Sequence, residues 1–143
     1  MKNLFKSLDT IIEFLEQIKT LTDNQGTVLL SGTSTIEAEN NMLDMLEQMA
    51  DYKEKLTINL KKEEEIFQQL YDKSKYDLRE QKEVEYLQER VGYLLKLQNL
   101  IMEEEQKNLL LMQSRSKQRI EKVTLPINNS KVAEAYRKQQ TKT

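Results

Sequence analysis

The sequence predicts an all-α chain: an elongated antiparallel three-helix bundle or coiled coil, followed by a mobile C-terminal tail. Three observations lead there. Apolar residues recur at alternating steps of three and four, the period of one helical face. Only three of the 143 residues are Gly and one is Pro, while 32% are charged, so few positions force a turn. Too little β-branched and aromatic material is clustered to suggest a sheet.

The first element rests on Leu4, Leu8, Ile11, Leu15 and Ile18, with the same count continuing through Thr22 and Gln25 to Leu29. This spacing predicts a helix over about 3–31. Gly26 lies inside it and weakens its last turns by about 1 kcal/mol relative to Ala; a loop over residues 23–33 is the alternative. Gly32 is expected to close the helix in a left-handed conformation. Ser34 followed by Glu37 reads as a capping box that opens the second helix.

The second helix, over about 35–71, is carried by Met42, Leu46, Met49, Lys53, Leu56, Leu60, Glu63, Phe67 and Leu70. Polar "DKSKYD" follows, and Asp77 with Glu80 resembles another N-terminal cap. A hairpin is expected there, although the count runs on through Ser74, Asp77 and Gln81 and leaves one continuous helix open. The third helix, over about 78–113, is carried by Val84, Leu87, Val91, Leu94, Gln98, Ile101, Glu105, Asn108 and Met112. Helices of this kind are roughly 40 to 60 Å long at 1.5 Å per residue. Lys53, Glu63, Gln98, Glu105 and Asn108 interrupt the seams. Such residues either fix register, at a cost in stability, or let a seam open for a partner.

Residues 1–113 thus form the predicted bundle, and residues 114–143 a frayed helix end with a flexible basic tail. Pro126 ends any helix there because it lacks the amide donor. Beyond Met112 eight basic residues face only Glu121 and Glu134, a balance of +6; the net charge of −2 then leaves −8 on the first 112 residues. The tail's charges are diluted by Gln, Asn and Thr and only Tyr136 could stack, so no nucleic-acid binding is expected.

Histidine, cysteine and tryptophan are absent. Disulfides, thiol chemistry, the usual zinc sites and His-based acid–base catalysis are excluded. Glu63–Glu65 and Glu103–Glu105 are the obvious carboxylate clusters. Three consecutive helical residues fan out over about 200° and do not converge on one ion. There is no Gly-rich phosphate loop. The expectation is a protein that is not an enzyme and takes no cofactor or metal. Asp9, Glu13 and Glu16 break the N-terminal stretch where a signal peptide needs an apolar run. No uncharged apolar run reaches the roughly 18 residues that span a bilayer. A cytoplasmic protein without membrane insertion is expected.

The most apolar stretch is "LQNLIMEEEQKNLLLMQ", residues 97–113. At 100° per residue Leu94 and Met112 coincide, and Tyr86, Tyr93, Leu97, Leu100 and Leu111 form a second stripe roughly 60 to 120° away. The two stripes are read as core, or as a partly open groove or homodimer face. Leu110 points nearly opposite.

"LLSGTSTIEAENNMLDMLEQMADYKEKL", residues 29–56, resembles the first helical hairpin of the FlgN family of flagellar export chaperones, where a small-residue turn precedes a lysine-containing helix with widely spaced leucines. "LLKLQNLIMEEEQKNLLLMQ" resembles that family's C-terminal helix, with Gln106 standing where the family tends to show Asn, before Leu109. The resemblance implies a cytoplasmic type III export chaperone that holds hook–filament junction proteins unassembled and hands them to the export machinery. Its partner would be the amphipathic C-terminal helix of an exported hook-associated protein. The implied contacts lie in the C-terminal region: Leu97, Leu100, Leu109, Leu111, Ile120, Val123, Val132 and Tyr136. The alternative is a non-enzymatic coiled-coil adaptor or structural protein, as a homodimer or larger assembly, whose stripes are assembly faces.

Overall fold

A computed structural model describes residues 2–122, with side chains through Arg115. The chain folds as an all-α three-helix bundle, with α1 (Lys2–Leu30), α2 (Ile36–Ser74), α3 (Gln81–Lys122) and no strand among the described residues. The helices divide between two compact units. Among the described residues, the first joins Lys2–Thr20 with Glu54–Ile101; the second joins Leu21–Lys53 with Met102–Lys122.

In the first unit α1 supplies most of the core. Leu4, Leu8, Ile11, Ile12, Leu15 and Ile18 are buried, together with Leu56 and Leu60 of α2 and Leu97 of α3. Each such side chain contributes about 1.5–3 kcal/mol by leaving water. Phe5 meets Tyr86 edge to face with centroids 5.0 Å apart, and Asp9 pairs with Arg90 at 3.1 Å. These pairs ascend both helices together, so α1 and α3 run in the same direction.

In the second unit Leu29, Met42, Leu43, Leu46 and Met112 form the apolar core, with Val28, Ala50 and Leu111 packed against it. Gln25 meets Lys53 at 2.8 Å, and Leu29, further along α1, packs with Met42, Leu43 and Leu46, earlier on α2, so α2 runs antiparallel to α1. Thr22 meets Asn108 and Leu29 meets Arg115, so α3 again runs with α1.

The turns correct three details of the sequence reading. Gly32 does not close α1 in a left-handed conformation, because no described glycine has a positive φ. Instead the Ser31 amide bonds to Val28 O at 3.1 Å, and Arg115 donates to Leu29 O and Ser31 O at 3.1 and 2.9 Å. An arginine from α3 therefore satisfies the end carbonyls that a glycine motif would have served. The cap of α2 is Thr35 and not Ser34: its hydroxyl accepts from the Ala38 amide at 3.0 Å. Glu39, and not Glu37, reaches back into the turn, accepting from Thr33 Oγ1 and from Arg115. Gly26 lies inside α1, which continues to Leu30, so the alternative loop over residues 23–33 does not form.

Between α2 and α3 the helix is interrupted, so a hairpin forms and not one long helix. Lys75 N bonds to Tyr71 O, Asp77 N to Ser74 O and Arg79 N to Asp77 O. The first α3 amides, Glu83 and Val84, donate to Glu80 O, so α3 starts after Glu80 and Asp77 lies before it. At its other end α3 continues to Lys122, past the expected boundary at 113. The remainder of the expected tail, from Val123, lies outside the described residues.

Candidate partner-binding surface and polar layer

The expected contact residues fall into different environments. Leu97 is only 4% exposed and belongs to the core of the first unit. Leu100, also in the first unit, is half-buried. In the second unit Leu109 and Leu111 are half-buried, Leu111 against the apolar cluster. Ile120 lies on the α3 backbone beyond the described side chains, and Val123, Val132 and Tyr136 lie outside the described residues.

The apolar side chains that α3 does present in the second unit are Met102, 68% exposed, and Leu110, 55% exposed. Met102 and Leu109 are seven residues apart and share a stripe, with Leu110 one position further round. Sequence reasoning placed neither Met102 nor Leu110 among the contacts. Their signal was available, because both fall off the heptad seam of α3. Leu95 is likewise exposed on the first unit's part of α3.

The seam interruptions in the second unit meet one another. Lys53 Nζ donates to Gln25 Oε1 and to Glu105 Oε1, and Thr22 Oγ1 lies 3.4 Å from the same carboxylate oxygen. Asn108, fully buried, donates through Nδ2 to Thr22 O at 2.9 Å. Thr22 and Gln25 are buried too, and the Lys53 side chain is 12% exposed. This is a polar layer within the bundle. Gly26 makes room for it: a Cβ at that position would stand 2.8 Å from Asn108 Oδ1.

A second cluster closes the α1–α2 turn. Arg115, through its other nitrogen, donates to Thr33 Oγ1 at 3.1 Å and to Glu39 Oε2 at 2.9 Å. Both carboxylate and guanidinium are less than one-fifth exposed. In the sequence Arg115 reads as the first charge of the basic tail; nothing local to it signals a capping role.

The Glu103–Glu105 cluster fans out as helical geometry requires. Glu103 faces solvent, Glu104 pairs with Lys107 at 3.4 Å, and Glu105 turns to Lys53. Among the described residues no group of three metal-binding side chains comes together. No described helix is long and apolar enough to cross a membrane. Comparison with protein-family models, with curated proteins and with solved structures finds no match.

Proposed function

We propose that this chain is a cytoplasmic, non-enzymatic export chaperone of the flagellar type III class. It holds the amphipathic C-terminal helix of a hook–filament junction protein and so prevents premature assembly. The observation that supports this reading is the outward apolar surface of α3 in the second unit: Met102 and Leu110 exposed, beside half-buried Leu109. A client helix laid along it covers these side chains as a helix-in-groove contact. The chain from Ile120 through Val123 and Val132 to Tyr136 adds further apolar contacts, and the export machinery receives the complex.

The test is a calorimetric titration of the full chain with the C-terminal region of a junction protein. One-to-one binding is expected. Met102→Asp with Leu110→Asp should lower the affinity about tenfold or more, since each removes an apolar contact worth about 1 kcal/mol or more, with the melting temperature unchanged. Leu110 serves here better than Leu111, whose packing against the apolar cluster would mix stability with binding. Absence of binding by the full chain rejects this client class; a mass that rises with concentration then identifies a self-assembling adaptor.

A further inference from the structure

In the second unit α3 is held by an uncommon seam. From Glu105 its inward positions step by three and four to Asn108, Met112 and Arg115, and only Met112 of these four is apolar. Glu105 is held by Lys53, Asn108 by Thr22 O, and Arg115 by Leu29 O, Ser31 O, Thr33 and Glu39. The α1–α2 hairpin opposite it packs differently, through Leu29, Met42, Leu43 and Leu46. Met112 of α3 joins that apolar cluster and Leu111 packs against it; the other inward positions of α3 are held by directed polar contacts.

These two kinds of contact fail differently. Burial of apolar area is insensitive to moderate salt, whereas an ion pair is screened to the extent that water reaches it, and the Glu105 carboxylate is 41% exposed. The closed arrangement also carries its own penalty, because Asn108 Oδ1 is buried and accepts no hydrogen bond among the described residues. On opening, that oxygen gains water, and Lys53 and Glu105 regain hydration. Against these gains stand the burial of Met112, the packing of Leu111 and the cover that α3 gives Leu29, Met42, Leu43 and Leu46.

We propose that the Met102–Arg115 part of α3 is a detachable strap. It separates as a unit from the α1–α2 hairpin of the second unit while the hairpin stays folded, and it uncovers Leu29, Met42, Leu43 and Leu46. The polar layer and the Arg115 contacts are its fastenings. This device stands on the chain alone and does not depend on which partner the protein binds.

The experiment is amide hydrogen exchange on the full chain, read by mass spectrometry in about 50 mM and about 1 M NaCl, a range over which the screening length falls several-fold. Amides of residues 103–115 should exchange about tenfold faster than those of residues 21–30, as a local opening below the global one, and faster still in high salt. The paired change Lys53→Leu with Glu105→Leu replaces an ion pair by apolar contact and should slow that exchange about tenfold. Lys53→Leu alone should accelerate it. Exchange in step across all three helices of the unit overturns the proposal, as does a salt-independent rate in the unmodified chain. So does a paired variant that leaves the rate unchanged, which marks simple fraying of a helix end.

Discussion

Replacing Gly26 by Ala probes the close contact between α1 and α3 in the second unit. In an unobstructed helix interior this change stabilises by about 1 kcal/mol, because glycine loses more backbone freedom on folding. Here the new Cβ would stand 2.8 Å from Asn108 Oδ1 and 3.8 Å from its Cγ. The first distance is shorter than carbon and oxygen tolerate, so one group must move. Asn108 has no route to solvent: it is 0% exposed, and its Nδ2 is bonded to Thr22 O at 2.9 Å. Displacing it breaks that bond and strands a buried amide donor, which costs about 1–3 kcal/mol. The loss exceeds the gain, and Gly26→Ala is expected to destabilise by about 1 kcal/mol, roughly 3–5 °C in Tm for a chain of this size. Asn108→Ala removes the obstacle. In that background Gly26→Ala should stabilise by about 1 kcal/mol, a reversal of sign with a coupling of about 2 kcal/mol. Urea unfolding of the four proteins in the cycle measures it. Stabilisation by the same amount in both backgrounds would refute the contact.

Gly32 provides the contrast, since nothing lies within 4 Å of its Cβ direction and its φ is not positive. Gly32→Ala should therefore stabilise by about 0.5 kcal/mol through the unfolded chain, and a loss of stability in the same urea assay contradicts the turn geometry. Thr35→Ala should cost about 1 kcal/mol as a lost cap, while Ser34→Ala stays within about 0.5 kcal/mol; equal effects at the two positions would mean that the cap is misassigned. Leu8→Ala, at a side chain with no exposed surface, should cost about 2–5 kcal/mol through the cavity it leaves, and a loss below about 1 kcal/mol in thermal melting would show that α1 is not the centre of the first unit's core.

The core of α1 was legible because one heptad phase runs along its whole length. Leu4, Leu8, Ile11, Leu15, Ile18 and Leu29 are all buried, and Thr22 and Gln25 are buried at the same seam positions. In α3 the count strayed. Val84, Leu87, Val91 and Leu94 are only half-buried, whereas Leu97, assigned to a side stripe, is core. An α-helix turns once per 3.6 residues, and a 3.5-residue repeat drifts from it by about 20° per heptad. Over a helix of 42 residues that drift matters. The first unit accordingly uses Tyr86, Arg90 and Leu97 on α3, a face offset from the counted seam.

The polar layer was legible as a set of interruptions but not as a set of partners. Heptad spacing says which side of a helix faces inward and leaves open which turn of a neighbour stands opposite. Lys53 and Glu105 therefore looked like separate flaws until the register between helices brought them together, with Gln25 as a further acceptor. Arg115 was less legible still, because two of its four acceptors are backbone carbonyls that have no sequence signature and the other two, on Thr33 and Glu39, lie more than 70 residues away. The prominence of Met102 and Leu110 was legible in direction, because both fall off the seam, but not in degree, because exposure depends on where the neighbouring helices stop covering α3.

The Arg115 clamp bears on how the chain is made. Ser31 and Arg115 are separated by 84 residues. At synthesis rates of about 5–20 residues per second the interval between them is roughly 4 to 17 s. During that interval the α1–α2 hairpin has emerged, yet the carbonyls at its turn have only water for company. The turn that comes first along the chain is completed last in time, and whatever meets the nascent hairpin encounters an unfinished corner.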